Sequence, residues 1–517
     1  MELKLKFKNK KWIKQINYLG FILFITASTI SSGIFLKNYE IYQLSSQVLL
    51  LSIITWIVGI FGLTCLVIAT LDLIITKKGK SGILEWTKSF SNKWFHQSAV
   101  NYIKFLYNPI NSFALSIYAV KVFQLSGWTL PSGWGVVFVA FFIFFIFNFL
   151  SLVGYYAAIQ VQKIIGAIKL IGVIVIPILT LVNEFNVSGN STFYDIEPNK
   201  GLIALSPYLV LIAGIPAISF AFNGFYNAST INNFELSNQK ESKVLILALL
   251  VVVATYLFIA ISFNVTHTNL GAINGTKVQF FNDWNTILKV SNFIIGIGIL
   301  GVINGFAMSV PRQIVALAKN NQANEVLWFQ IFVFRKSYDH VCPKQILFSA
   351  WCSYFIISSF FYIIFGPIGA FVYQDSSNLA KQFGIYSARI YGLVDFLTTY
   401  SSIIFFVIIA VATLGYLKQK IKQKLPSVIK GFSFFAIIGS VIIFSGFVFS
   451  IINIIVNVTG FNQASVADFV VKLLLYLVLI VVPIFVPTIN YFATKFWHKP
   501  DLIRIISPQE KGYQICN

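Results

Sequence analysis

The sequence predicts an all-α polytopic membrane protein with twelve transmembrane helices. Composition and charge placement carry that prediction. Of 517 residues, 57% are hydrophobic and 11% charged, with a mean hydropathy of +0.79. An ordinary soluble domain is about 25% charged, so most of this surface has to face lipid. The formal net charge is +21, from 38 basic and 17 acidic residues, and the basic residues recur at every second connection between apolar runs.

A spanning helix needs about 20 apolar residues. Twelve runs qualify, near 16–36, 48–75, 104–124, 134–153, 163–183, 202–225, 243–263, 289–311, 346–366, 392–416, 430–454 and 468–494. The first follows Met1–Lys14, which holds six lysines. It is too long for a signal peptide and lacks a small-residue cleavage site, so it reads as a span. In lipid every backbone hydrogen bond must close internally, and the twelve runs therefore form one helical bundle. No connection is long enough to fold alone.

With the N-terminus inside, 29 of the 38 basic residues fall in inner segments and eight on the outer side (Lys37, Lys121, Lys200, Lys277, Lys289, Lys381, Arg389, Lys472). Acidic residues divide eight and eight, with Asp72 near the inner end of the second run. This positive-inside bias places both termini in the cytoplasm. A nucleic-acid surface would gather its basic residues on one element, and none is expected here. One cation, Lys169, stays inside a run.

Enzymatic chemistry has little support. Cys65, Cys342, Cys352 and Cys516 are scattered without metal spacing, so they read as packing residues. His96, His267, His340 and His498 lie in connections and form no H-E-x-x-H or H-x-x-E-H pattern, which argues against an intramembrane metalloprotease. Neither a T-V-G-Y-G filter nor a carboxylate ring suggests a channel. No metal or cofactor is expected. Asn274-Gly275-Thr276 fits a glycosylation acceptor but is common by chance.

Two runs are interrupted. The first reads Thr26-Ala27-Ser28-Thr29-Ile30-Ser31-Ser32-Gly33-Ile34-Phe35, and the sixth reads Gly214-Ile215-Pro216-Ala217-Ile218-Ser219-Phe220-Ala221-Phe222-Asn223-Gly224-Phe225. Corresponding breaks five spans apart point to an inverted-repeat transporter whose site lies at the broken helices. A half-helix N-terminus suits a carboxylate, and the facing C-terminal carbonyls suit an ammonium or a cation. An α-amino acid offers both groups. Small residues also let membrane helices approach closely, and that reading of Ser31-Ser32-Gly33 stays open.

At these residues the chain resembles the amino acid-polyamine-organocation (APC) superfamily. The family's G-S-G-I-F is matched by Ser31-Ser32-Gly33-Ile34-Phe35. Its F-A-F-x-G-F with a following E-x-x-N-P-K is matched by Phe220–Phe225 and Glu235-Leu236-Ser237-Asn238-Gln239-Lys240. Gly154 with Lys169-Leu170 matches part of the fifth-span pattern, and Arg312 to Asn320 is similar to R-x-x-x-A-x-A-K-D.

The resemblance implies a 5+5 inverted-repeat core over residues 1–417, with repeats near 16–183 and 202–416, and two additional helices with a cytoplasmic tail over 418–517. It implies a secondary active transporter working by alternating access, with an amino acid substrate, protons or sodium as coupling ion and the lipid bilayer as surroundings. Carried over by position, the amides near Ser31, Ser32, Gly33 and Ile34 would hold the substrate carboxylate. The carbonyls near Thr26, Ala27, Phe220 and Phe222, beside Gly224, would hold its amine. Phe306 stands where members often have an aromatic gate, and equally reads as a packing residue among 53 phenylalanines.

An ionisable group within a span costs about 2.5–3.5 kcal/mol on insertion scales and is a functional candidate. Some proton-coupled members have a lysine at the position of Lys169, and the resemblance implies that its charge substitutes for a cation between spans 1, 5 and 8. The other reading places Lys169 near the inner end of span 5, snorkelling as a structural contact.

Several residues depart from the family pattern. Tyr226 replaces an acidic residue, Gln239 replaces the motif's proline, Tyr156 replaces a lysine, and Leu36-Lys37-Asn38-Tyr39-Glu40 is unusually polar. No carboxylate is expected within a span except Asp72 at an edge, so neutral amino acids, bulky apolar ones first, are the expected substrates. An amino acid/polyamine antiporter and a transport-inactive sensor or scaffold are the alternatives. Heavy use of Lys, Asn, Ile and Phe fits a low-GC bacterium and its cytoplasmic membrane.

Overall fold

A computed structural model describes residues 30, 33–45, 48–76, 82–129, 133–187, 208–224, 238–265, 284–319, 343–372, 383–424, 429, 431–459 and 470–483. Among these residues every regular element is helical. In chain order they are α1 (Gly33–Leu44), α2 (Leu49–Thr76), α3 (Ile83–Phe90), α4 (Lys93–Tyr102), a π-helical turn (Ile103–Tyr107), α5 (Asn108–Leu125), α6 (Trp134–Val153) and α7 (Tyr155–Val187). There follow α8 (Leu209–Ala213), α9 (Ile215–Ala221), α10 (Asn238–Val265), α11 (Trp284–Lys319), α12 (Pro343–Pro367), a second π-helical turn (Ile368–Val372), α13 (Ile385–Gln423), α14 (Phe432–Thr459) and α15 (Val470–Pro483).

Eight of these, α2, α6, α7, α10, α11, α12, α13 and α14, are long and apolar enough to cross a membrane. Several overrun the apolar runs that foretold them. α7 begins at Tyr155 rather than 163, and α13 covers Ile385–Gln423 rather than 392–416. Backbone hydrogen bonding continues where hydropathy ends, so apolar length underestimates helix length. The third predicted span holds α5, which carries Asn108, Asn111, Ser112, Ser116 and Lys121 and is buried from Asn108 to Phe123. It packs against α6, α11, α12 and α13, which makes it the central helix. Protein rather than lipid surrounds it, so it tolerates polar residues.

Rings and glycines set the packing. α6 meets α12 through Phe144 stacked on Phe355 with centroids 5.7 Å apart, and through Phe141 edge-on to Tyr362 at 5.3 Å. α7 and α11 approach closely where Gly301 leaves room for Ile165 and Gly298 for the Lys169 stem. A Cβ at Gly301 would stand 2.5 Å from Ile165 Cγ2. Small residues play this part in membrane bundles because without them the backbones could not meet.

α3 and α4 form a short hairpin, with α3 packed on α13. His96 of α4 is buried and its Nδ1 lies 2.9 Å from Thr87 Oγ1. Burial, reinforced by the charge of Lys88, pushes this imidazole down from 6.5 to about 4. Between those values the unfolded chain binds a proton that the folded chain does not, so stability falls as pH drops from 6.5 towards 4. Thermal unfolding followed by circular dichroism should show this loss, and His96→Gln should reduce it.

Candidate functional site

In span 6 the helical backbone runs on through Gly214, an αR residue whose N–H bonds the Val210 carbonyl and whose own carbonyl accepts from Ile218, so the interruption expected at Gly214 and Pro216 is no more than a one-residue lapse between α8 and α9. α9 runs seven residues to Ala221, and Phe222–Gly224 form a turn with Gly224 at φ +106°. A side chain rarely adopts that backbone conformation, so the glycine fixes where α9 stops. The Phe220 carbonyl accepts the Asn223 N–H at 3.2 Å. Tyr256 of α10 donates from its hydroxyl to the Ala221 carbonyl at 2.5 Å and meets Phe222 edge-on at 5.0 Å. Phe220, Phe222 and Gly224 are all buried.

α1 packs against α9, so the described parts of spans 1 and 6 are neighbours. Gly33 opens α1 with Ile34 behind it, both buried. Of the other expected site residues, Thr26, Ala27, Ser31 and Ser32 lie outside the described residues. Phe306 is buried in α11, while the ring that meets Phe220 is Tyr118 of α5, at 5.9 Å.

Lys169 lies fourteen residues into α7, about 21 Å along its axis. It is 5% exposed, and its stem packs on Gly298 of α11. This places it well inside the helix rather than at its inner end. Beside it is a cavity of about 10 Å³, at the lower limit of what holds one water. Phe35 of α1, Val173 and Ile176 of α7, and Ile294 and Ile295 of α11 line it together with the lysine. Spans 1, 5 and 8 thus meet around one buried cation.

An ionic cluster stands where the sequence reading expected no carboxylate. Asp395 lies within α13 and corrects that expectation. Lys37 Nζ donates to Glu40 Oε2 at 2.7 Å, to the Asp395 carbonyl at 3.0 Å and to Asp395 Oδ1 at 3.3 Å. Tyr118 donates to Asp395 Oδ1 at 2.5 Å, and Thr399 to Glu40 Oε1 at 3.3 Å. Lys37 is fully buried, while the two carboxylate side chains are about one third exposed. The i, i+3 spacing of Lys37 and Glu40 and the place of Asp395 inside an apolar run were the available signals. Lys37, counted as an outer marker of orientation, therefore also joins α1 to α13.

A second ionic cluster sits at the C-terminal end of α2. Asp72 Oδ2 accepts from Lys420 Nζ and, at 3.0 Å, from the Tyr416 hydroxyl, while Oδ1 accepts the Ile429 N–H at 2.9 Å. Asp72 is fully buried and Lys420 nearly so. Among the described residues no three His, Cys, Asp or Glu side chains gather as a metal site would require.

An all-helical bundle with eight helices long and apolar enough to cross a membrane, and a buried cation among them, has the build of a polytopic membrane permease. The chain belongs to the amino acid permease family, whose model matches residues 16–480. It is also similar to an uncharacterized protein of Mycoplasma pneumoniae (strain ATCC 29342 / M129), 23% identical over 458 residues that cover 80% of this chain and 79% of that one.

Proposed function

We propose that this protein is a secondary active transporter that moves neutral amino acids across a bacterial cytoplasmic membrane by alternating access, coupled to protons through Lys169. The observation that carries this reading is the double role of α1. It packs against α9, with Lys37 Nζ 5.7 Å over the Phe220 ring, and its Phe35 lines the Lys169 cavity. A shift of α1 on substrate binding therefore alters the surroundings of the lysine. Loss of the Lys169 charge would reciprocally alter the substrate side, as linkage requires.

In this reading twelve spans form two repeats of five, near 16–183 and 202–416, followed by two further helices, with both termini cytoplasmic. The substrate carboxylate meets amides near Ser31, Ser32, Gly33 and Ile34. Its amine meets carbonyls near Thr26, Ala27, Phe220 and Phe222, with Gly224 ending the half-helix and Phe306 a candidate gate. The Lys37–Glu40–Asp395 and Asp72–Lys420 clusters supply closures near the two faces. Glu40 and Asp395 face two cations, Lys37 in direct contact and Lys121 through its nearby charge, which favours a neutral substrate over a cationic one.

A thermal-shift screen of the purified protein against the twenty amino acids tests the reading, since a ligand of the folded state alone adds about 2.7 kcal/mol of stability at 100 times its Kd. At least one neutral amino acid should raise Tm. That amino acid should also exchange across proteoliposomes, and binding without exchange would identify a sensor instead.

A further inference from the structure

Spans 3, 6 and 10 meet at a buried chain of side-chain amides. Asn111 of α5 donates from Nδ2 to the Tyr107 carbonyl at 2.8 Å. A carbonyl can only accept, so this bond sets the orientation of the Asn111 amide and turns Oδ1 towards α9 as an acceptor. That oxygen receives Asn223 Nδ2 at 3.4 Å, and the same Nδ2 donates to Ser402 Oγ of α13 at 3.0 Å. Both amide hydrogens of Asn223 are then in use, and its Oδ1 is left over. This oxygen has no hydrogen-bond partner among the described residues, although Asn223 is only 4% exposed.

The place of the leftover acceptor gives it meaning. Asn223 lies in the turn that ends α9, beside Gly224 at φ +106°. The Tyr107 carbonyl that orients the chain belongs to a π-helical turn, a feature frequent at functional sites. A buried acceptor without a donor destabilises the protein unless something else brings the donor.

We propose that Asn223 Oδ1 reads the side chain of the carried amino acid and selects a neutral residue whose side chain offers a hydrogen-bond donor, a hydroxyl or a carboxamide. The inference rests on the amino acid reading above and replaces the bulky apolar preference with a polar one. An apolar side chain would leave the acceptor unpaired, and a site built to bond a substrate donor rejects the analogue that lacks it. A cationic side chain fits poorly. The amide chain is neutral throughout, and Lys37 Nζ already stands 5.7 Å over the neighbouring Phe220 ring. A second buried cation there would have no counter-charge within the chain of amides.

Threonine and valine have the same shape and differ in this donor, so their affinities for the purified full-length protein decide the matter. Wild type should bind threonine at least about tenfold more tightly than valine, the ratio expected of one buried hydrogen bond. Asn223→Leu should erase or invert that ratio while still binding valine. Ser402→Ala leaves Asn223 in place but loosens its amide, and should narrow the ratio, which guards against misfolding of the first variant. Equal affinities in wild type, or an unchanged ratio in Asn223→Leu, overturn the selection and leave amino acid transport standing. Failure of all twenty amino acids to bind wild type overturns both.

Discussion

Lys169→Ala lowers proton-driven, concentrative uptake at least about tenfold and flattens what uptake remains against pH, while amino acid binding persists. The expectation follows from where the charge sits. A cation held between three helices, 5% exposed and against a cavity no larger than one water, costs several kcal/mol to keep within a membrane. Such a cost is retained where the charge has work to do. Removing it should therefore raise stability while transport falls, the trade-off expected of a functional site. Uptake into proteoliposomes at several pH values, with Tm measured on the same preparations, checks both halves. A variant that concentrates its substrate with the wild-type pH profile would exclude Lys169 from coupling.

Asp72→Ala destabilises the folded protein by about 3–5 kcal/mol, because it strands the buried Lys420 ammonium without a counter-charge. It also removes the acceptor of the Tyr416 hydroxyl and of the Ile429 N–H. The double variant Asp72→Ala with Lys420→Met should recover most of the loss, since replacing a buried ion pair with apolar groups is often neutral or stabilising. Denaturant titration of the three variants in detergent micelles separates the outcomes. Were Asp72→Ala to cost less than about 1 kcal/mol, the pair would behave like an exposed surface bridge.

Much of this was legible in the chain, and the parts that were not share a cause. α6 matches its apolar run at 134–153 because glycines stand at both ends, Gly133 at φ +59° before it and Gly154 after it. The turn that ends α9 was announced by Gly224. Lys169 stood out because the positive-inside pattern accounted for the other cations and not for this one. By contrast Asp395, although inside the apolar run 392–416, was passed over as a carboxylate within a span, and it bonds Lys37, 358 residues away in sequence. No local pattern encodes such a pairing. The same holds for Asn223, which occupies the variable position of its motif and gains meaning only from Asn111 and Ser402. The central place of α5 was hidden because polar residues lower the hydropathy of a helix that lipid never touches.

The length of α13 has a mechanical consequence. Its 39 residues span about 58 Å, nearly twice the hydrocarbon thickness of a bilayer. Asp395 near one end and Lys420 near the other are separated by about 37 Å of continuous helix. One stiff rod is therefore riveted to α1 above and to α2 below. If it pivots at mid-height, any displacement that stretches the upper rivet swings the lower one by a similar distance in the opposite sense.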